Sequence, residues 1–257
     1  MRVREHMLSA AGDASLLRSG ISIIMPTLNE EKFIGRTLRQ FVPYRERHNI
    51  EVIVSDDAST DGTVAIARPL ADAVVTNGDG MRGRSRALNR GARAAKHDIF
   101  IFLDADMIID DKDGFFDEVY AVFAAAPAVA GGMMDYYVYP DESTFADRLT
   151  HVFWNAVMRG VLRLGTGIST PGFQMGRRDV FAAIGGFDED LRLTQDVAYS
   201  LKLSKTWKIH YFKSARLLES PRRYRDEGYL VYAYRSSLRW LSILLRKKSY
   251  GEYTIAR

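Results

Sequence analysis

The sequence predicts an α/β protein with a mainly parallel sheet flanked by helices. In its first half, short apolar segments alternate with segments of helical periodicity, the order that builds a parallel sheet covered on both faces. Ile99–Leu103 is apolar without interruption, as expected of a strand buried on both sides. The chain has 257 residues, 47% of them hydrophobic and 26% charged, which suffices for one large globular domain.

Four strands are predicted in the first half. The first covers residues 21–25 and is expected to stop at Pro26, after which the Thr27-x-x-Glu30 spacing favours a capped helix. That helix would bury apolar residues between Phe33 and Phe41, which recur at helical spacing. The remaining strands are predicted at 50–54, 73–76 and 99–103, and helices at 63–70 and 84–96.

The second half is less regular. It predicts a helix at 115–126, a strand at 129–139 interrupted by Gly131-Gly132, and further helices at 195–207 and 224–247. A long amphipathic helix is predicted at 144–164, with Phe145, Leu149, Phe153, Trp154 and Val157 as its apolar residues. Because no repeat or linker divides the chain, we expect an extension at 1–20, one domain at 21–220 with halves at about 21–110 and 111–220, and a C-terminal segment at 221–257.

Composition excludes several classes of site. The absence of cysteine rules out disulfides, thiol catalysis and Cys-ligated zinc or iron–sulfur centres. Residues 1–20 lack the apolar core of a signal peptide and no apolar run is long enough to span a bilayer, so we expect a protein that is cytoplasmic or peripheral at the cytoplasmic face of the membrane. Residues 221–257 hold nine Lys/Arg against three Asp/Glu, which favours either an anionic partner or a solvated helix face.

Polar residues follow three of the predicted strands. Asn29-Glu30 follows the first strand, Asp56-Asp57 the second and Asp104-Ala105-Asp106 the fourth. Because the carboxyl ends of parallel strands meet at one sheet edge, these residues should lie side by side. Carboxylates accept hydrogen bonds from a base or ribose, and an Asp pair suits Mg²⁺ or Mn²⁺ shared with a substrate phosphate. The pattern therefore predicts a nucleoside-diphosphate site.

With these motifs the sequence resembles the family 2 glycosyltransferases over residues 21–207. The resembling motifs, in chain order, are IMPTLNEE at 24–31, VSDDASTDGT at 54–63, RALNRG at 86–91, FLDAD at 102–106, GGFDE at 185–189 and QD at 195–196. The resemblance implies the GT-A fold, with a Rossmann-like, mainly parallel sheet and an elaborated acceptor-side C-terminal half.

The resemblance also implies roles for individual residues. The nucleotide-sugar site would comprise Pro26, Thr27, Asn29, Glu30, Asp56, Asp57, Arg84, Asn89, Asp104 and Ala105. Within that set Arg84 would contact the base or phosphate, and Asp104 the ribose and the metal shell. Asp106 would be the direct ligand of Mg²⁺ or Mn²⁺.

The implied reaction is an inverting transfer from a UDP- or GDP-linked sugar to a sugar or lipid-phosphate acceptor. Asp196 would be the general base, although the family's usual Glu-Asp pair is here Gln195-Asp196. A helix-terminal carboxylate stabilised by the helix dipole is the structural alternative for Asp196. Gln195, Arg222 and Arg223 are candidates on the acceptor or phosphate side, with plain structural ion pairs as the alternative for the two arginines.

Two other functions remain open from the residues alone. Residues 78–83 fit Gly-x-Gly-x-x-Gly between a strand and a helix, which would suit an NAD(P)-binding oxidoreductase. The motif follows the third strand, however, and leaves the acidic pairs without a role, so we interpret it as a flexible loop near the nucleotide. A non-catalytic nucleotide-sugar-binding protein is the second alternative, and intact Asp104, Asp106 and Asp196 argue against it.

The C-terminal segment predicts an amphipathic helix at 224–247. Leucines and a tyrosine from Leu230 to Leu245 form one stripe, and Arg235, Arg239 and Arg246 a second. Such a helix would lie at a membrane interface, cover the sheet or contact a second subunit in a homodimer. No nucleic-acid partner is expected. His210 is a weak candidate metal ligand, and a packed strand residue is favoured instead.

Overall fold

The computed structural model describes residues 20–78, 80–191, 194–229, and positions 231, 234, 235, 237 and 238. In chain order the strands are β1 (Ile21–Thr27), β2 (Ile50–Asp56), β3 (Ala73–Thr76), β4 (Ile99–Leu103), β5 (Met107–Ile109), β6 (Val129–Met133), β7 (Tyr136–Val138), β8 (Phe173–Arg177), β9 (Lys208–Tyr211) and β10 (Leu217–Glu219). The main sheet has the order β3-β2-β1-β4-β8, and β8 alone runs antiparallel within it. The predicted α/β class with a mainly parallel sheet is confirmed.

Helices connect these strands and cover the sheet. In chain order they are α1 (Ile34–Arg39), a 3₁₀ helix (Val42–Tyr44), α2 (Thr63–Ala67), α3 (Arg84–Ala94), α4 (Lys112–Ala125), α5 (Phe145–Arg163), α6 (Arg178–Ala183), α7 (Gln195–Leu203) and α8 (Arg222–Glu227). Two smaller sheets, β5-β10-β7 and β6-β9, complete the second half. Sequence reasoning missed β8 and α6, although β8 closes one edge of the main sheet.

The core has two parts, one for each face of the main sheet. Ile23 of β1 belongs to one buried apolar cluster and Ile24 to the other. Likewise, Ile101 of β4 belongs to the first cluster and Phe102 to the second. Successive strand residues therefore enter opposite layers, which is why these strands are apolar at every position.

The prediction that Pro26 ends the first strand is wrong. β1 continues to Thr27, with Pro26 in register with Ser55 of β2. The pairing of β1 with β4 ends at Ile24, so the proline lies beyond the part of the strand that is paired on both sides. The predicted capping role of Thr27 is also wrong, because α1 begins at Ile34 and Thr27 bonds to β2 instead.

The predicted strand 129–139 is two strands, and Gly131-Gly132 does not interrupt it. Both glycines lie inside β6, and the break falls between Met133 and Tyr136. A Cβ atom on Gly132 would lie 2.4 Å from the Phe212 ring, so a side chain has no room there. The glycines therefore allow close packing against the second half of the chain.

Helix α5 is confirmed, but its apolar stripe does not face the core. Phe145, Leu149 and Phe153 are exposed, and Trp154 alone of the predicted stripe packs against the core at its edge. The predicted helix at 224–247 is interrupted: α8 begins at Arg222, ends at Glu227 and is followed by Gly228 with φ of +83°. Most of the stripe predicted there lies outside the described residues. Within the described part of the chain, no helix combines the length and apolarity needed to cross a bilayer.

Candidate active site

The carboxyl ends of β1 and β2 form one connected edge. The Thr27 hydroxyl donates to Asp56 Oδ1 at 3.0 Å, and the Asp57 amide donates to the Thr27 carbonyl at 2.8 Å. Asn29, in the left-handed region with φ of +57°, accepts from the Thr60 amide through its side chain at 2.8 Å. The first two strand-end loops are thereby held in one fixed arrangement.

Asp56 and Asp57 differ in their surroundings. The buried Asp56 accepts from Thr27 and from both the amide and hydroxyl of Ser59, at 2.9 and 2.5 Å for the latter two. Asp57 instead accepts from the Gly83 amide at 2.8 Å, which ties it to the loop before α3. Asp56 therefore has the surroundings of a loop-fixing residue, whereas Asp57 borders the glycine-rich loop.

Two arginine side chains form ion pairs with acidic residues of this edge. Arg84, the first residue of α3, pairs with Asp104. Arg222 of α8 lies 2.8 Å from Glu30 Oε1 and 3.2 Å from Asp106 Oδ2. The structure thus brings together three predicted site residues: Glu30 after β1, Asp106 after β4, and Arg222, which is 192 positions from Glu30.

Asp106 has an unusual electrostatic environment. The pKa of its carboxyl is raised to about 7, mainly by burial and also by the neighbouring carboxylates Asp104 and Glu30, against the opposing effect of Arg222. Its backbone carbonyl accepts from the Tyr139 hydroxyl. A carboxyl group that costs energy to ionise is well suited to a site where a bound cation supplies the missing positive charge.

The donor set fits a divalent cation shared with the substrate. The described residues include no cluster of three or more His, Cys, Asp or Glu side chains arranged to hold a metal by themselves. Mg²⁺ is commonly bound by one or two carboxylates together with substrate phosphates, which is what Asp104 and Asp106 offer. Asp104 and Asp106 therefore fit a metal ion that completes its coordination with phosphate oxygens of a bound nucleotide.

Asp196 lies in the first turn of α7. Its Oδ1 accepts from the Val197 amide at 2.9 Å. Burial raises the pKa of its carboxyl, with a smaller upward contribution from Asp104 and an opposing one from Arg84. Asp196 therefore interacts electrostatically with both members of the Arg84–Asp104 pair. Gln195 next to it is buried, and among the described residues its Oε1 has no hydrogen-bond partner.

Other predicted site residues have structural surroundings. Asn89 donates to the Phe187 carbonyl at 2.9 Å and accepts from the Phe187 amide at 3.0 Å, so it holds the turn before α7. Ala105 is buried, and its carbonyl accepts from Thr37 at 2.5 Å. Pro26 is buried within β1, and the side chain of Arg223 lies outside what the structure describes.

Sequence reasoning did not single out three residues that shape this edge. Arg90 donates to the Asp56 carbonyl at 2.9 Å and lies 3.8 Å from Asp57 Oδ1. Gly172, with φ of +71°, accepts from the Asp104 amide at 3.0 Å. Arg90 belongs to the motif at 86–91 and could have been found there, whereas neither Gly172 nor Tyr139 has a local sequence signal.

The comparison with protein families decides the assignment. The family described as "Glycosyl transferase family 2" matches residues 22–185, which is more than half of the chain. The chain belongs to glycosyltransferase family 2. This membership supports a glycosyltransferase, and not the oxidoreductase suggested by residues 78–83.

Curated relatives agree with the family. The chain is 26% identical over 203 residues to the poly-beta-1,6-N-acetyl-D-glucosamine synthase of Staphylococcus epidermidis, covering 75% of this chain and 46% of that protein. It is 37% identical over 97 residues to the 4,4'-diaponeurosporenoate glycosyltransferase of Staphylococcus haemolyticus, covering 36% and 25% respectively. The chain thus spans less than half the length of either relative.

Solved structures share the fold. A mannosyltransferase of Pyrobaculum calidifontis, solved with GDP-Man and Mn²⁺, matches with a TM-score of 0.63 and 24% identity, covering 90% of this chain and 65% of that one. Glucosyl-3-phosphoglycerate synthase of Mycobacterium tuberculosis, solved with Mn²⁺, UDP-glucose and phosphoglyceric acid, matches with a TM-score of 0.60 and 19% identity, covering 91% and 81%. The GT-A fold expected of this family 2 chain is confirmed.

Proposed function

We propose that this family 2 chain transfers a sugar, with inversion, from a UDP- or GDP-linked donor to an acceptor hydroxyl or phosphate. The observation that carries the proposal is the meeting of Glu30, Asp106 and Arg222 at the edge that also holds the Arg84–Asp104 pair. Asp196, in the first turn of α7, interacts electrostatically with both members of that pair and is the candidate base. One carboxyl group next to a nucleotide edge is the arrangement that a single displacement needs.

On the donor side, the residues of the first two strand ends would hold the nucleoside. Asp57 and Glu30 lie at the edge and present oxygen acceptors for base and ribose donors. Pro26, Thr27, Asn29 and Asp56 shape the floor below them, as their contacts within the two loops indicate. Asn89 and Ala105 would support the site indirectly, because their hydrogen bonds fix neighbouring segments of the chain.

Arg84 and Arg222 would contact the diphosphate. Both guanidinium groups neutralise carboxylates in the structure, and a diphosphate offers each of them a stronger anionic partner. Asp106, with Asp104, would hold Mg²⁺ or Mn²⁺, and that cation supplies charge stabilisation for the departing nucleoside diphosphate. The Mn²⁺ in the Pyrobaculum and Mycobacterium structures supports this assignment by similarity of fold.

Asp196 would accept the proton of the acceptor. Its carboxyl has a raised pKa, so its ionised form is a stronger base than a solvated aspartate. As the acceptor oxygen bonds to the anomeric carbon, the bond from that carbon to the diphosphate breaks and the proton passes to Asp196. The Oε1 of Gln195, which has no hydrogen-bond partner within the described part of the chain, would accept a hydrogen bond from a hydroxyl of the acceptor or of the transferred sugar.

The acceptor class is inferred from relatives. One curated relative is named as a synthase of poly-beta-1,6-N-acetyl-D-glucosamine and another as a glycosyltransferase of 4,4'-diaponeurosporenoate. A growing polysaccharide or a lipid-linked acceptor such as a polyprenyl phosphate is therefore proposed here. Residues 111–220 would form the acceptor half, and the chain would work in the cytoplasm or at the cytoplasmic face of the membrane. For a lipid-phosphate acceptor, Arg223 would contact the acceptor phosphate, and Arg222 either that phosphate or the donor diphosphate.

The substitution Asp196→Asn tests the proposed base. Because a positioned general base contributes about 10²- to 10⁴-fold, transfer should fall by that factor while donor binding persists. Binding is measured as thermal stabilisation by UDP, GDP, UDP-glucose and GDP-mannose, each with and without Mn²⁺, and transfer as nucleoside diphosphate released with extracted membrane lipid or polysaccharide as acceptor. The exposed Asp190→Asn, close to it in sequence, is the matched control.

Each outcome is decisive for one part of the proposal. Wild-type turnover in Asp196→Asn would remove Asp196 as the base. Loss of nucleotide binding in the same variant would show that its role is structural. Stabilisation by NADH alone, with none by a nucleoside diphosphate, would contradict the proposed donor class.

A further inference from the structure

The amphipathic helix α5 packs with its polar side inward. Its buried residues are Asp147, His151, Asn155 and Met158. Asn155 donates to the Tyr136 carbonyl at 3.0 Å and accepts from the Tyr136 amide at 3.2 Å, and His151 lies 3.2 Å from Glu219. Asn155 and His151 thus find polar partners within the protein, whereas the large apolar side chains on the opposite side of the helix are exposed.

The outward side of α5 carries large exposed apolar side chains, here called the apolar face. It consists of Phe145 (82% exposed), Leu149 (62%), Val152 (53%), Phe153 (59%), Val157 (36%) and Leu164 (84%). At 100° per residue these positions fall within an arc of about 140°. Scattered exposed apolar residues are ordinary, but a stripe that continues from Phe145 to Val157, along about three turns, marks a surface that contacts something.

We propose that the apolar face of α5 lies in the interface of a lipid bilayer with anionic headgroups. Two exposed arginines accompany the stripe: Arg148 lies beside the arc, and Arg163 lies within it at the C-terminal end of the helix, with no ion-pair partner among the described residues. Large apolar side chains on one side with arginines beside them are typical of helices that lie flat in a membrane interface.

Area argues against a second copy of the chain as the occupant. With about 200 Å² for a phenylalanine side chain, Phe145 and Phe153 present on the order of 280 Å² at their observed exposures. The aliphatic members bring the face to on the order of 500 Å². A stable protein interface usually needs about 800 Å² from each partner, whereas an interfacial helix needs only its own apolar face.

The polar side of α5 contacts α8, the short helix that carries Arg222 of the candidate active site. Asp147, in the first turn of α5, accepts from Arg225 at 2.8 Å, and Arg222 in the same short helix α8 contacts Glu30 and Asp106. Val231, Tyr234 and Leu238, which follow α8, are also exposed. A bilayer against the apolar face would therefore lie across α5 from α8, at a distance of one helix diameter, ~10 Å.

Vesicle binding tests the proposal directly, because it requires neither donor nor transfer. The full chain is sedimented with vesicles of phosphatidylcholine alone or mixed with phosphatidylglycerol. Phe145→Gln combined with Phe153→Gln should weaken partitioning at least tenfold, since each buried phenylalanine contributes a factor of about 10 to 100. Arg148→Gln and Arg163→Gln should each weaken partitioning about fivefold on vesicles that contain phosphatidylglycerol, and should leave it unchanged on vesicles of phosphatidylcholine.

The control is Val42→Gln, which alters another exposed apolar residue, in the 3₁₀ helix and outside the apolar face. All these positions are exposed, so the thermal midpoints should match wild type. Wild-type protein that stays in solution, or a double phenylalanine variant that binds as wild type does, overturns the proposal. So does a wild-type dimer in sedimentation velocity that the double variant converts to monomer without any vesicle binding, because a second copy would then be the occupant.

Discussion

The raised pKa of Asp106 predicts that this candidate metal ligand destabilises the protein when no cation is bound. Its carboxyl titrates at about 7 in the folded chain against 3.8 for an unperturbed aspartate. A folded pKa above the unfolded one means that the folded state holds its proton more tightly. The stability associated with that proton is complete below pH 4 and is lost as pH rises through 7.

The substitution Asp106→Asn keeps the shape of the side chain but leaves a group that cannot ionise, so the variant should not lose stability as pH rises through 7. One pKa unit corresponds to about 1.4 kcal/mol, so the shift of about three units is worth about 4 kcal/mol. The variant should exceed wild type in unfolding free energy by about 2 kcal/mol at pH 5 and about 4 kcal/mol at pH 8. Urea unfolding in the presence of a chelator measures both values, with Asp190→Asn as the exposed control.

Two results would refute the reasoning. A stability difference that does not change between pH 5 and pH 8 would show that Asp106 does not titrate in that range. A variant less stable than wild type at pH 8 would show that the contact with Arg222 outweighs the cost of burying the charge. If the reasoning holds, adding Mn²⁺ with a nucleoside diphosphate in place of the chelator should reduce the difference in unfolding free energy between variant and wild type. The reason is that a bound cation stabilises the ionised carboxylate, which only wild type has.

Three further substitutions test how the site is supported. Gly172→Ala should destabilise the chain by about 1 to 3 kcal/mol, because φ is +71° and a Cβ would lie 2.9 Å from Asp104 Oδ2; equal urea midpoints would contradict this. Thr144→Ala removes the capping box of α5 and should cost about 1 to 2 kcal/mol in the same assay, and no change would mean that the cap is not needed. Asn89→Ala leaves the amide and carbonyl of Phe187 unpaired and should cost about 1 to 3 kcal/mol, whereas a stable variant with lost donor binding would instead make Asn89 a direct contact.

The order of strands and the residues at their ends follow from local sequence. Strands such as Ile99–Leu103 are apolar at every position because both faces of the sheet are covered, and that pattern is visible without a structure. The carboxyl ends of parallel strands share an edge by geometry alone. The clustering of Glu30, Asp57 and Asp104 at one edge could therefore be predicted.

Contacts between distant segments could not be predicted. Arg222 reaches Glu30 across 192 positions, and Asn89 reaches Phe187 across 98. Spacing rules do not extend to such distances, because the approach depends on how whole helices pack. The same limit explains why Asp56 and Asp57, adjacent and chemically identical, acquire different partners.

The sequence by itself determined the α/β class, the family and the acidic edge, because alternation, helical spacing and strand-end motifs are properties of short segments. Tertiary structure alone decided which face of each element is buried. The apolar stripe of α5 would be assigned to the core by periodicity, yet Asn155 and His151 on its other side find partners in Tyr136 and Glu219, and the stripe is left outside. Periodicity shows that a helix has two faces, and only the arrangement of its neighbours determines which one faces the solvent.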